Sequence, residues 1–134
     1  MKRLVLFLPA LCLSAGACAG TVVYTDSTHP VASSFPDTHV VYIDAPERMQ
    51  ADMFGTLPSN QVQAEKLARD RINTPEFAAQ QQKLTIAYQG LMKAWSLGLA
   101  KYPAVVFDDK WVVYGTTDVS VAMQQMSRWR EVNP

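Results

Sequence analysis

The chain has 134 residues, of which twelve are basic and twelve acidic, so its formal net charge at pH 7 is zero. Hydrophobic residues make up 49% of the chain and charged residues 18%, which predicts a packed core and excludes a chain that is disordered throughout. The basic residues are scattered among acidic ones and form no basic stripe. A nucleic-acid partner is therefore not expected.

Residues 1–19 have the pattern of a secretion signal that is removed by cleavage. Lys2-Arg3 gives a positively charged start, residues 4–13 give an apolar stretch, and Ala17-Cys18-Ala19 gives a small-x-small cleavage motif. The apolar stretch is too short for a permanent transmembrane helix, which takes about 20 apolar residues. We expect this signal peptide to be removed, which leaves a single domain over residues 20–134 in the periplasm.

The two cysteines, Cys12 and Cys18, both lie within that signal segment. Its removal leaves a domain without thiols, which excludes disulfide bonds, thiolate catalysis and cysteine metal ligands. An alternative is that Cys18 becomes the lipidated first residue of a lipoprotein. Ala15 stands three positions before it, where such sites usually carry leucine, so cleavage is the expectation that we carry forward.

Two runs rich in β-branched and aromatic residues, 21–25 and 39–43, predict β-strands. Their apolar residues are adjacent rather than alternating, which is typical of strands covered on both faces. Residues 28–38 between them have too few apolar residues to predict a crossover helix. Asp44-Ala45-Pro46 predicts the end of the second strand, and the composition becomes helical only from Ser59 onward.

Two helices are predicted after that point. The first covers residues 61–71, with Ser59 or Asn60 as its cap. The second covers residues 75–97, because Thr74-Pro75-Glu76 supplies a cap, a proline at the first helical position and an acid in the first turn. An apolar stripe with spacings of three and four is expected to face the core and consists of Leu84, Tyr88, Leu91, Trp95 and Leu99.

The last part of the chain predicts a β-hairpin and a helix. Strands over residues 104–107 and 111–114 flank the tight turn Asp108-Asp109-Lys110. Thr116-Thr117-Asp118 then caps a final helix. The apolar residues expected to share one face of this helix are Val119, Ala122, Met123, Met126 and Trp129.

The predicted order is strand, loop, strand, helices, hairpin and helix, with Pro103 opening the third strand. This order resembles the thioredoxin-like fold, which is an α/β fold. We therefore expect a small mixed sheet with a long helical segment and a C-terminal helix. The resemblance implies that the Tyr102–Pro103 bond is cis and lies beside the loop that follows the first strand. The position of a redox pair carries Ser27-Thr28-His29-Pro30, so thiol redox activity is not implied.

Asp26 and His29 form the first candidate site, because an acid and an imidazole three residues apart could orient a proton transfer or contribute metal ligands. The alternative is a turn acid beside an exposed loop histidine. His39 opens the second strand, which in a parallel arrangement places it at the opposite sheet edge from His29. Since no third group is identifiable, we predict no catalytic residue, metal or cofactor. The pair is kept as a candidate for partner binding.

Tyr102 and Pro103 are the other partner-binding candidates. The corresponding segment forms a peptide-docking edge in thioredoxin-like proteins, and the resemblance extends that role to this chain. The alternative is a turn that determines the fold and binds nothing.

A more specific resemblance rests on three segments: VVYTDSTHPV at residues 22–31, YQGLMKAWSLG at residues 88–98, and YPAVVFD with VVYGTTDV between residues 102 and 119. They are similar to a family of small, exported, uncharacterised proteins encoded by bacterial integrating conjugative elements. The resemblance implies a role in conjugative transfer by a type IV secretion apparatus. Since the sequence has no recognisable catalytic motif, we expect this role to be a non-catalytic, accessory one. The resemblance also implies another cell-envelope protein as partner. No stable membrane span is expected, because the apolar stretch over residues 4–13 is too short for one. An enzyme centred on Asp26 and His29, metal-dependent or acid/base, is the alternative.

Overall fold

The computed structural model describes residues 20–31 and 35–134. The predicted signal peptide, residues 1–19, lies outside the described residues and stays a prediction. The described part contains four strands and four helices, which run in the order β1 (Thr21–Thr25), β2 (Thr38–Tyr42), α1 (Ala45–Phe54), α2 (Gln61–Ile72), α3 (Pro75–Ser96), β3 (Ala104–Phe107), β4 (Trp111–Tyr114) and α4 (Val119–Val132).

The four strands form one mixed sheet in the order β2-β1-β3-β4. Strand β1 pairs with β2 in parallel and with β3 antiparallel, so that Tyr24 lies between Val41 and Ala104. Strand β4 pairs antiparallel with β3, with Tyr114 opposite Ala104 and Trp111 opposite Phe107. The prediction of an α/β fold with a small mixed sheet is confirmed, whereas the finer thioredoxin-like resemblance stays a prediction.

The sheet has a hydrophobic core on each face, because successive residues of a strand point to opposite sides. On the face covered by α4, the buried residues are Val23, Val105, Phe107, Val119 and Ala122. On the face covered by α3, they are Tyr24, Ala94, Leu99, Ala104 and Val106. Helices α1 and α2 both contact α3. The two central strands, β1 and β3, are thus covered on both sides. This agrees with the expectation for the first predicted strand, whereas the second, β2, lies at the side of the sheet and has no buried residue.

Helix α1 was not predicted, and the expectation that helix begins only after Ser59 is wrong. The helix starts at Ala45, has Asp44 as its N-cap residue and carries Pro46 and Glu47 in its first turn. Proline in the first turn removes no hydrogen bond of the helix, because the first N–H groups of a helix have no partner within it. Only Pro46 and Met53 of this helix are buried, so its apolar pattern is weak.

The predicted inner face of α3 is partly wrong. Trp95 is 66% exposed and Tyr88 is 38% exposed, although both were expected to face the core. The residues buried in this helix are Phe77 and Ala94. A Cβ at Gly90 would lie 2.8 Å from Val41 Cγ1, so α3 packs closely on β2. Where α3 packs closely on β2, the inner face carries the small residues Gly90 and Ala94, and Tyr88 and Trp95 lie outside.

Helix α4 begins where the cap motif predicts. The Asp118 carboxylate accepts hydrogen bonds from the backbone N–H groups of Ser120 (2.8 Å) and Val121 (3.2 Å). Val119 and Ala122 are buried, but Met123 is 51% exposed and does not belong to the inner face. Among the residues from 20 to 31 and from 35 onward, no helix is both long and apolar enough to cross a membrane.

Candidate functional site

The candidate residues meet at one edge of the sheet. Because β1 and β2 are parallel, the loop 26–30 after β1 and Asp44 after β2 lie at the same edge. Strand β3 starts at that edge, since Ala104 pairs with Tyr24 near the end of β1. The peptide bond between Tyr102 and Pro103, directly before β3, is cis, as expected. We call the loop 26–30 together with Tyr102 and Pro103 the docking edge.

The structure therefore places the four candidate residues at the same edge of the sheet: Asp26, His29, Tyr102 and Pro103. His39 pairs with Val22, near the start of both parallel strands, so it lies at the opposite edge of the sheet. The expectation that the two histidines are far apart is confirmed.

One oxygen of Asp26 organises its loop. Asp26 Oδ1 accepts hydrogen bonds from the backbone N–H groups of Thr28 (2.9 Å) and His29 (3.0 Å). It also accepts the Thr28 hydroxyl and lies 2.9 Å from His29 Nδ1. These bonds, first the Thr28 hydroxyl and then His29, lower the pKa of Asp26 from 3.8 to about 2. Hydrogen bonds to a carboxylate favour its charged form, so Asp26 is ionised throughout the physiological pH range.

His29 is tied to the protein by its backbone and by one ring nitrogen. Its carbonyl accepts a hydrogen bond of 2.7 Å from the hydroxyl of Thr25, a fully buried residue. Its Nδ1 lies 2.9 Å from both Asp26 Oδ1 and Thr28 Oγ1. The His29 side chain is nevertheless 57% exposed. The imidazole is thus oriented by the loop and accessible from solvent.

Asp44 joins this loop to α1, and sequence analysis did not single it out. Its Oδ2 accepts hydrogen bonds from the Ser27 N–H (3.2 Å) and the Ser27 hydroxyl, and lies 3.2 Å from Arg48 Nε. The Ser27 hydroxyl, more than any other neighbour, lowers the pKa of Asp44. The other oxygen, Oδ1, is buried and has no hydrogen-bond partner among the described residues. The sequence signal that could have identified Asp44 is its position directly after the second of two parallel strands, because the carboxyl ends of parallel strands meet at one edge of the sheet.

Tyr102 is half-buried and packs on the core beneath α3. Burial raises the pKa of Tyr102, and Tyr114 raises it further. The Gly115 N–H donates to the Pro103 carbonyl at 2.9 Å, and the Tyr114 hydroxyl accepts from the Ala100 N–H at 3.4 Å. The end of β4 therefore supports the start of β3, and Tyr102 is part of a fixed surface.

Asp26 itself is poorly suited to act as a general base. A general base works best with a pKa near the working pH, and a carboxylate with a pKa of about 2 has little proton affinity at neutral pH. Within residues 20–31 and 35–134, no three histidine, cysteine or acidic side chains lie close enough to hold a metal ion. The docking edge is a polar loop fixed by its own hydrogen bonds, beside an aromatic side chain.

Residues 18–132 match the model of a family described as a protein of unknown function, DUF1525. No curated protein matches the chain, and no solved structure matches it.

Proposed function

The chain belongs to the DUF1525 family, whose function is unknown, and we propose that it is a non-catalytic binding protein that docks a partner at the edge formed by the loop 26–30 and Tyr102-Pro103. The observation that carries this proposal is the hydrogen bonding of Asp26. Its Oδ1 is engaged by donors of its own loop, Thr28 and His29. A loop already fixed in one conformation loses less entropy when a partner binds, which favours binding.

The proposed setting is the cell envelope. The resemblance of residues 22–31, 88–98 and 102–119 to exported proteins of integrating conjugative elements supports a periplasmic accessory role in conjugative transfer through a type IV secretion apparatus. The partner is then another cell-envelope protein of that apparatus.

The setting is tested by deleting the gene from a donor cell that carries such an element. Transfer to a recipient is expected to fall while growth is unchanged, and a wild-type copy is expected to restore transfer. Normal transfer without the gene would overturn the conjugation role.

The docking edge is tested in the complemented strain with Pro30→Arg combined with Lys101→Glu. Both residues are exposed, Pro30 within the docking edge and Lys101 directly before Tyr102, so these changes alter its surface and spare the core. Transfer is expected to fall while circular dichroism of the purified variant is unchanged. Lys66→Glu on α2 makes the same lysine-to-acid change away from the edge and serves as the control.

A second candidate is acid/base chemistry at His29. It is favoured by the 2.9 Å contact between Asp26 Oδ1 and His29 Nδ1, because a carboxylate at one ring nitrogen orients the imidazole and leaves Nε2 for a substrate. The variant His29→Ala removes the imidazole and retains the hydrogen bonds from the loop backbone to Asp26. Near-normal transfer by this variant would exclude acid/base chemistry at His29. Loss of transfer by this folded variant, with Pro30→Arg/Lys101→Glu unaffected, supports chemistry instead.

A further inference from the structure

An apolar cleft of about 360 Å³ lies between β4 and α4, away from the loop 26–30. The cleft is lined by Trp111, Val112, Val113, Tyr114, Gln125, Met126 and Trp129. Trp111 and Trp129 pack with ring centroids 5.5 Å apart, and Trp129 is still 50% exposed. The cleft therefore presents aromatic surface that the described part of the chain does not cover.

The cleft borders a strand edge that can accept another strand. Strand β4 is the last strand of the sheet, with β3 on one side only. The Gly115 N–H donates a hydrogen bond to the Pro103 carbonyl. Hydrogen-bonded and non-hydrogen-bonded pairs alternate along an antiparallel ladder. The backbone groups of Trp111 and Val113 therefore also form their hydrogen bonds with β3. The backbone N–H and C=O groups of Val112 and Tyr114 consequently point away from the sheet.

Two cations lie at the Trp111 end of the cleft. Lys110 Nζ is 5.1 Å from the centroid of the Trp111 ring, and the guanidinium carbon of Arg130 is 5.3 Å from it. Neither side chain belongs to any of the four ion pairs formed by the described residues. Their positive charge is available to an incoming carboxylate.

We propose that this cleft binds an extended, acidic segment of a partner protein, which adds to the sheet as a strand beside β4. The backbone of the segment pairs with Val112 and Tyr114, as in other complexes where a peptide extends a sheet edge. An apolar side chain of the segment packs against the Trp111–Trp129 pair, and an acidic side chain pairs with Lys110 and Arg130. This surface differs from the docking edge, so the inference holds or fails independently of the proposed function.

Three blocked heptapeptides test the inference with the purified domain. The first, Glu-Thr-Val-Thr-Val-Thr-Glu, has an acid at each end and so suits either strand direction. The second carries lysine in place of both glutamates. The third is the acidic peptide with every residue between the two glutamates N-methylated, which removes the N–H groups that would face β4 in either strand direction. Binding is followed by amide and indole NMR shifts.

The acidic peptide is expected to shift Val112, Tyr114 and the indoles of Trp111 and Trp129, and to bind roughly tenfold more tightly than the lysine peptide, as two partly solvated ion pairs allow. The N-methylated peptide is expected not to bind. Lys110→Glu/Arg130→Glu should reverse the preference for acid over lysine. Lys66→Glu/Lys83→Glu, the same charge change on α2 and α3, should leave the preference intact.

Equal affinity for the acidic and lysine peptides, shifts confined to other surfaces, or no binding at millimolar peptide would overturn the inference. A further check uses the protein without peptide, with sedimentation for its oligomeric state and hydrogen exchange for the protection of its amides. A dimer that protects the amides of Val112 and Tyr114 would make a second copy of this chain the occupant, and would also overturn it.

Discussion

Ser27 and Asp44 connect the ends of the two parallel strands, since the Ser27 N–H and hydroxyl both donate to Asp44 Oδ2. Asp44 is the N-cap residue of α1, but its side chain accepts no hydrogen bond from the backbone N–H groups of the helix. Its Oδ2 is directed to the neighbouring loop and to Arg48 instead. The loop after β1 is therefore held from two sides, by Asp26 within it and by Asp44 across from it.

We predict that acid weakens this connection. The folded pKa of Asp26, about 2, lies below its ordinary value of 3.8, and the pKa of Asp44 is lowered as well. The folded state then binds fewer protons than the unfolded state, so this stabilisation is complete above about pH 4 and is lost as the pH falls toward 2. Urea midpoints of the wild type should fall over that range more steeply than those of Asp26→Asn/Asp44→Asn.

The matched control for this comparison is Asp52→Asn/Asp70→Asn, which removes two exposed carboxylates from α1 and α2. Its urea midpoints should follow those of the wild type between pH 4 and pH 2. If the Asp26/Asp44 variant and the wild type lose stability in parallel, the two carboxylates do not stabilise the fold in the way that their hydrogen bonds indicate.

The second prediction concerns the contact of α3 with β2. Alanine at Gly90 places a Cβ 2.8 Å from Val41 Cγ1. Valine has a stiff side chain, so the helix or the strand has to move. Gly90→Ala should lower the free energy of unfolding by about 1–3 kcal/mol, as overpacking usually does. The measurement is urea unfolding followed by circular dichroism.

The decisive comparison is Gly90→Ala in a Val41→Ala background. With the valine methyl groups gone, alanine is expected to stabilise α3 relative to glycine by about 0.5–1 kcal/mol, because glycine is the poorer helix former. An equal loss of stability in both backgrounds would show that the close contact is not the cause.

The same contact explains why the inner face of α3 was mispredicted. Hydrophobic periodicity gives weight to large residues such as Tyr88 and Trp95, but a helix that approaches a strand closely needs Gly90 and Ala94 there. The strands were easier to predict, because their β-branched and aromatic runs are continuous. Strand bounds at 104–107 and 111–114 agree with the structure.

Helix α1 was missed for a different reason. Pro46 and Glu47 in its first turn repeat the signal by which Pro75 and Glu76 announce α3. Only Pro46 and Met53 of α1 are buried, so the segment lacks the periodic apolar pattern that predicts a helix. Asp44 was missed with it, since its role appears only when the two parallel strands are side by side. Pairing between distant segments is not encoded in local spacing.

The third prediction concerns the start of α4. Asp118 accepts hydrogen bonds from two N–H groups of the first turn, at 2.8 and 3.2 Å. Asp118→Ala leaves those groups without the cap and should lower the free energy of unfolding by about 1 kcal/mol. Asp118→Asn retains an accepting oxygen and is expected to stay within a few tenths of the wild type. Equal losses in the two variants would assign the effect to charge instead of capping.

The last prediction is that the chain is processed on export. Cleavage after Ala19 gives an intact mass for the periplasmic protein that corresponds to Gly20–Pro134. The two alternatives at this point respond oppositely to one substitution. Cys18→Ser leaves the small-x-small motif functional, so signal cleavage and the mass of the product should not change. A lipoprotein needs the thiol of Cys18, and there the same variant would accumulate as an unprocessed precursor.

Ala19→Glu is the complementary change, because it puts a large charged residue at the cleavage position and should block the signal cleavage that we predict. A membrane-bound product with acyl mass on Cys18 would contradict the prediction and identify the chain as a lipoprotein.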